Sequence, residues 1–430
     1  MNEDFYTLVK PNSILTILFF TLFFCQNIFC QNIGYAKSII DTLTSPYFSG
    51  RGAVNNGEQK AAQFILEEFK KLGLQPINDS FFQKFNYSIN TFPEEISVEV
   101  DHKKLVAGID YLVEPSSCKM QGDFQLIWYD ETNIPTLKQL KKLSNQRFFE
   151  NKFIVIDNIS TESKTDEFEL LKINAVGASG IILLEENKLT HHLSTKVTDY
   201  VTLRVMRASL NGFAKNISIK IDQQFLPNYT SQNVIGQLTG TKYPDSIIVF
   251  SAHYDHLGKM GKDIYFPGAN DNASGVAMLL NLAEHYSNNA PEKTIVFMAF
   301  GAEESGIIGS KYFTENPLFP IGQINFLINL DLLGTGDEGI QIVNGSVFQQ
   351  QFDQLVAINQ KHQLLPQIKT RGKAANSDHY WFSEKGVPAF FIYTLGGIKA
   401  YHDIDDKATT LPLTEFEDCF RLLTLFVSEL

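Results

Sequence analysis

Ser246-Ile-Ile-Val-Phe-Ser-Ala252 runs directly into His253-Tyr254-Asp255-His256, so an apolar stretch ends in imidazole and carboxylate. A stretch with no polar alternation suits a strand buried on both faces, as in a parallel sheet covered by helices. Thr294 to Phe300 (TIVFMAF), Ile324 to Leu330 (INFLINL) and Pro388 to Tyr393 (PAFFIY) read the same way. Ser274 to Tyr286, Val347 to Gln360 and Glu415 to Val427 read as helices between and after them. The alternation predicts an α/β sheet domain.

The residues that carry chemistry sit where these strands end. Asp271 lies in Gly268-Ala-Asn270-Asp271-Asn272-Ala-Ser-Gly275, Glu303-Glu304 follows the second strand, Asp331 follows the third, and His402 lies beyond the last in Tyr401-His402-Asp403-Ile404-Asp405-Asp406. Strand carboxyl ends of an open α/β sheet line one crevice, so residues far apart in the chain can converge there. Imidazole and carboxylate without thiolate is the donor set of catalytic zinc or a related divalent ion. Two histidines and three carboxylates suit two ions. One Asp can bridge such ions, which at about 3.5–4 Å apart polarise a carbonyl, acidify a shared water and stabilise an oxyanion. The His253-x-Asp255 spacing lets the carboxylate accept the ring's second N–H. Of Glu303 and Glu304, one can ligate while the other stays free as general base. Taken singly, these motifs have plainer readings. Glu-Glu after a strand complements a helix dipole, and Asp-Asn-Ala-Ser-Gly makes a turn and N-cap. Five matches in order, each after a separate apolar strand or at a helix start, outweigh those readings.

Upstream, Gly50-Arg51-Gly52 and Asn55-Asn56-Gly57 read as turns, and Glu58 to Leu72 as a helix with Ala61, Ala62, Phe64, Ile65 and Phe69 on one face, stopped by Gly73. From about Phe92 to Asp222 the chain shifts to short alternating strands such as Ile96 to Val100 and Phe124 to Ile127. Within that stretch Lys152 to Asp157 and Leu170 to Leu184 read as strand, helix, Gly turn, strand. It is poor in candidate chemistry: His191 and His192 have no partner at ligand spacing and read as a solvated loop pair. The expected organisation is a signal over 1–30, a first part of the main domain over 31–110, an inserted domain over 111–225, and a second part over 226–430 carrying the metal site. The insertion is expected to border the crevice and limit substrate size.

Ile14 to Phe24 (ILTILFFTLFF) is too short to span a bilayer comfortably and fits the apolar core of an export signal cleaved before Gln31. Glu3 and Asp4 against Lys10 depart from the usual basic flank, which keeps an uncleaved anchor as the alternative. The signal predicts a secreted or periplasmic protein with no membrane span after cleavage. A formal charge of -12, from 36 Lys+Arg against 48 Asp+Glu, excludes a general nucleic-acid binder. Loss of Glu3, Asp4 and Lys10 with the signal (net -1) takes -12 to -11. Cys118 and Cys419 then remain, without metal spacing; they read as isolated thiols, and one long-range disulfide is the alternative.

The set His253-Tyr-Asp255-His256, Asn270-Asp271-Asn272-Ala-Ser-Gly275, Ala302-Glu303-Glu304, Asn329-Leu-Asp331, Ser377-Asp378-His379 and Tyr401-His402 resembles the di-zinc aminopeptidase and glutamate carboxypeptidase family. Gly50-Arg51-Gly52 with the following helix looks like that family's opening segment, and the middle stretch is similar to the protease-associated domain many members carry. The resemblance implies a zinc-exopeptidase fold, α/β with a mixed, mostly parallel central sheet sandwiched by helices, and an inserted β-rich domain. It implies two Zn2+ or related divalent ions per chain. Asp271 would bridge them, with His253 and Asp331 completing one site and Glu304 and His402 the other. Glu303 would be the general base, Asp255 would orient His253, and Tyr401 would help bind the tetrahedral intermediate. His379 recurs in the pattern without an assigned role. Asn270 stands where relatives often have Asp, but it is not a ligand position.

The expected activity is that of a zinc-dependent aminopeptidase, hydrolysing N-terminal residues from peptides through a metal-bridging hydroxide. The alternatives are a carboxypeptidase, which needs a cation such as Arg204, Arg207 or Arg371 for a free carboxylate, a glutaminyl-cyclase-like enzyme, and a non-catalytic receptor-like relative. The last tends to lose ligands or base, and this chain retains them all.

Overall fold

The four apolar runs form the middle of a nine-stranded sheet. The computed structural model describes residues 32–157 and 166–430; the apolar block read as an export signal lies outside the described residues. The sheet order is Gln75–Pro76, Gln224–Leu238, Lys293–Phe300, Tyr243–His253, Ile324–Leu330, Ala389–Thr394, Ile340–Val343, Ile368–Arg371, and Phe82–Thr91 pairs separately with Gln224–Leu238. The four central strands are mutually parallel. Antiparallel joins to Gln224–Leu238 on one side and Ile340–Val343 on the other make the sheet mixed.

Unbroken apolar runs work here because both faces are covered. Ile248, Phe250 and Ala252 face a core built with the helices Ile33–Leu43, Gly57–Lys71, Gly275–Asn288, Gln349–His362 and Phe416–Glu429. Ile247 and Val249 point the other way, onto Phe313 and Phe382 of the helices Ile308–Glu315 and His379–Glu384. The result is the expected sheet sandwiched by helices. Because Ile248 is fully buried in that core, Ile248→Val is expected to cost about 0.5–1.5 kcal/mol, read as a lower urea midpoint with an unchanged slope.

The ribbon of Phe82–Thr91 on Gln224–Leu238 carries the chain out to a second sheet and back. That sheet has eight strands, in the order Lys103–Lys104, Ile96–Val100, Asn216–Ile221, Met120–Asp130, Lys152–Asp157, Gly180–Glu185, Val201–Met206, Tyr111–Val113. It therefore takes in Ile96–Val100, ahead of the boundary expected at 111, because that strand pairs antiparallel with Asn216–Ile221. Four of its strands, from Met120–Asp130 to Val201–Met206, run parallel, and the helices Leu137–Asn145 and Asp166–Lys172 lie in its crossovers. Cys118 and the buried Cys419 are unpaired thiols. Among the described residues, no helix is long and apolar enough to cross a membrane.

Candidate metal centre

His253 is the last residue of its strand, and Asp331 follows Leu330 directly on the neighbouring strand. Asp271 lies in the turn that enters the helix Gly275–Asn288, and its peptide bond to Asn272 is cis. His253 Nε2 lies 3.3 Å from Asp271 Oδ1 and 3.4 Å from Asp331 Oδ1. His402 Nε2 lies 3.1 Å from both Asp271 Oδ2 and Glu304 Oε2. Asp271 thus turns one oxygen to each histidine. The donor atoms of His253, Asp271 and Asp331 fall within 4.8 Å of one another, as do those of His256, Asp271 and Glu304.

This cluster carries more negative charge than its own histidines balance. Burial favours neutral imidazole, yet Asp331, Glu303 and Asp271 hold His253 protonated well above its ordinary range. Burial likewise opposes protonation of His402, but Glu304 and Asp271 raise it to about 11. Burial and Asp271 push Glu304 upward, and His402 and His256 outweigh them and bring it to about 2. Glu303, which has fewer cationic neighbours, is pushed well above the ordinary carboxylate range by burial. A divalent ion supplies the charge that protons otherwise provide, and displaces them. The ring geometry agrees. His253 Nδ1 faces the Asp255 backbone carbonyl at 3.2 Å and His402 Nδ1 faces that of His191 at 3.1 Å. Carbonyls only accept, so Nδ1 carries the hydrogen and Nε2 keeps its lone pair for a metal. The donor set fits the ions the sequence implied.

The surrounding shell was only partly legible. Asp255 was expected to bond the His253 ring through its carboxylate, but Oδ1 stands 3.8 Å away and the backbone carbonyl takes the bond. The carboxylate instead accepts the backbone N–H groups of Glu303 at 3.0 Å and Glu304 at 3.2 Å, fixing the loop that bears both glutamates. A relay holds Asp331: Ser251 Oγ donates to Asn329 Oδ1, Asn329 Nδ2 to Ser377 Oγ, and Ser377 Oγ to Asp331 Oδ2. His256, quoted in its motif but given no role, reaches Glu304 Oε1 at 2.6 Å. Asp406 accepts the backbone N–H groups of Asn270 and Asp271, and sequence reading passed over it. Gly268 has φ 60, and a Cβ there would stand 2.4 Å from the His256 ring and 2.2 Å from the Asp271 carbonyl, so only glycine fits.

Tyr401 stacks on His402, with ring centroids 4.0 Å apart, and stays 44% exposed. His379 is fully buried against Phe391, and burial lowers it to about 4, so it packs as a neutral ring. The reading of His191 and His192 as a solvated loop pair holds for His192, which is exposed in that loop, but not for His191. His191 is buried and bonds His402 through the backbone in both directions, and His192 Nδ1 lies 3.3 Å from His402 Nδ1. Their partner is remote in sequence, which is why ligand spacing missed it.

Residues 233–427 match the profile of Peptidase family M28. This stretch is similar to the M28 peptidases. The chain is 30% identical over 173 residues to Aminopeptidase YwaD of Bacillus subtilis (strain 168), covering 38% of this chain and 36% of that protein. It is 34% identical over 138 residues to a probable zinc metalloprotease of Pyricularia oryzae, covering 31% and 27% respectively. The matches span about a third of those relatives' lengths. A solved zinc aminopeptidase from Bacillus subtilis, BSAP, superposes with a TM-score of 0.69 at 21% identity over 93% of this chain and 95% of that one, a likeness of fold that takes in the inserted sheet.

Proposed function

We propose that this M28-like domain is a zinc-dependent exopeptidase of the aminopeptidase type, with two divalent ions held between His253, Asp271 and Asp331 on one side and Asp271, Glu304 and His402 on the other. The observation that carries this reading is Asp271, whose two carboxylate oxygens face two different imidazoles. Bound there, the ions would polarise the scissile carbonyl and acidify a water. Glu303, unligated beside Glu304, takes the proton of that water and passes it to the leaving amine. Asp255 holds the glutamate loop, the Asn329–Ser377 relay holds Asp331, and the Tyr401 phenol, raised by burial and by Asp271, stays protonated to donate to the oxyanion.

The inserted sheet is read as a protease-associated domain, from its place between the two parts of the peptidase domain. The amino-terminal preference is supported by the fate of the arginines a carboxypeptidase would need. Arg204 is paired with Glu114 and Glu185, and Arg207 with Asp157, while Arg371 is exposed on Ile368–Arg371. Neither Arg204 nor Arg207 carries an uncompensated charge for a substrate carboxylate. Freshly purified protein is expected to hold about two equivalents of divalent metal. Aminoacyl reporter turnover should be lost on chelation and regained with zinc, and N-acetylated peptides should be refractory. Well under one equivalent of metal, or preferential cleavage of N-acetylated peptides with free C-termini, would overturn the proposal. Cyclisation of an N-terminal glutamine peptide faster than its hydrolysis would point to the cyclase alternative.

A further inference from the structure

The two metal-facing histidines are oriented in different ways. The His253 ring is held by a carbonyl two residues further along its own strand end. The His402 ring is held by the inserted domain. Loop 188–192 leaves the strand Gly180–Glu185 and lies against the loop that bears His402. His191 N donates to His402 O at 2.9 Å, and His402 Nδ1 returns a bond to His191 O at 3.1 Å. Lys188 Nζ donates to the carbonyls of Lys399 at 3.2 Å and Tyr401 at 2.8 Å, and to Asp403 Oδ2 at 2.9 Å. The His191 ring stacks on Phe266, 4.6 Å between centroids and 7° from parallel, which ties the same loop to the segment leading to Asp271.

We propose that loop 188–192 of the inserted domain is a positioning element for His402, so that the ion at Asp271, Glu304 and His402 depends on the insertion while the ion at His253, Asp271 and Asp331 does not. The inference rests on the two-ion reading above. Two physical features support it. His402 has φ 54, a left-handed conformation that a non-glycine residue keeps only when its surroundings over-determine it, and the bonds from Lys188 and His191 are such surroundings. The His191 carbonyl also selects the ring tautomer that presents Nε2 to the metal, the role that carboxylates or carbonyls beside ligating histidines generally play. Lys188 and His191 are positioning residues and touch no substrate in this scheme.

The test compares wild type, Lys188→Ala, Lys188→Arg and Lys188→Ala/His191→Ala, each stripped with chelator and titrated with Zn2+ alone in a calorimeter. The Lys188 side chain is 39% exposed, so its truncation opens no core. His191→Ala keeps the backbone groups that bond His402 and removes the ring stack that anchors the loop on Phe266, so the double variant is expected to bind the ion at Asp271, Glu304 and His402 about 10- to 100-fold more weakly than wild type and the other ion clearly less so. Lys188→Ala should show part of that loss and Lys188→Arg should recover it. Equal weakening of both ions, or of neither, overturns the inference while leaving the two-ion reading intact. A wild type that binds only one ion overturns that reading, and this inference with it.

Discussion

Glu303→Gln is expected to lower kcat on aminoacyl reporters by about 10²- to 10⁴-fold, with the metal content of the purified protein unchanged. The substitution keeps size and hydrogen-bonding capacity but removes the group that takes a proton from water. The backbone N–H of Glu303 still donates to Asp255, so the loop keeps its place. The donor atoms that face the histidines belong to Glu304, Asp271 and Asp331, so ion binding should survive. Substrate affinity should change little, since the lost interaction belongs to the transition state. Turnover within error of wild type at equal metal content would remove Glu303 from the mechanism. A parallel loss of metal would instead assign it to the ligand shell.

Arg51→Met is expected to destabilise the protein by on the order of 5 kcal/mol, beyond the usual range for a point substitution. Arg51 is fully buried and donates to the carbonyls of Tyr254, Leu43, Pro267, Gly268 and Asp271. Methionine fills much of the same volume and leaves all five carbonyls without that donor. Burial lowers the guanidinium to about 10 while Asp271 and Asp406 hold it up, so it stays charged at neutral pH and offsets part of the acidic cluster. The substitution removes that charge as well, and an uncompensated buried carboxylate is costly. Arg51→Lys should lie between the two, since an ammonium has three donors and no planar fork. Urea unfolding with zinc analysis checks this. An Arg51→Met variant within about 1 kcal/mol of wild type would show that the carbonyls find other partners.

The layered architecture was legible because its signal is local. Ile324–Leu330 is a strand with the bounds its apolar run predicts, and Gly275–Asn288 begins within a residue of its expected start. The short strands Ile340–Val343 and Ile368–Arg371 and the helix His379–Glu384 were not read, because each owes its order to packing against the sheet and has too few residues for a period to show. The start of the second sheet rests on a distant partner for a related reason: Ile96–Val100 belongs to that sheet through its pairing with Asn216–Ile221.

The sequence by itself determined which chemical groups stand at the strand ends, because apolar runs and donor types are properties of neighbouring residues. Order and residue type place His253, Asp271, the Glu303–Glu304 pair, Asp331 and His402 there, and the choice of Glu304 over Glu303 as ligand is what the family resemblance implies. The tertiary structure decided which atom of each faces which, and what holds it there. Asp406 meets Asp271 across 135 positions, Arg51 meets Gly268 across 217, and His191 meets His402 across 211. These contacts are a few hydrogen bonds each, made by residues with no periodicity around them. Only the fold, by bringing distant loops within about 3 Å, gives them an effect.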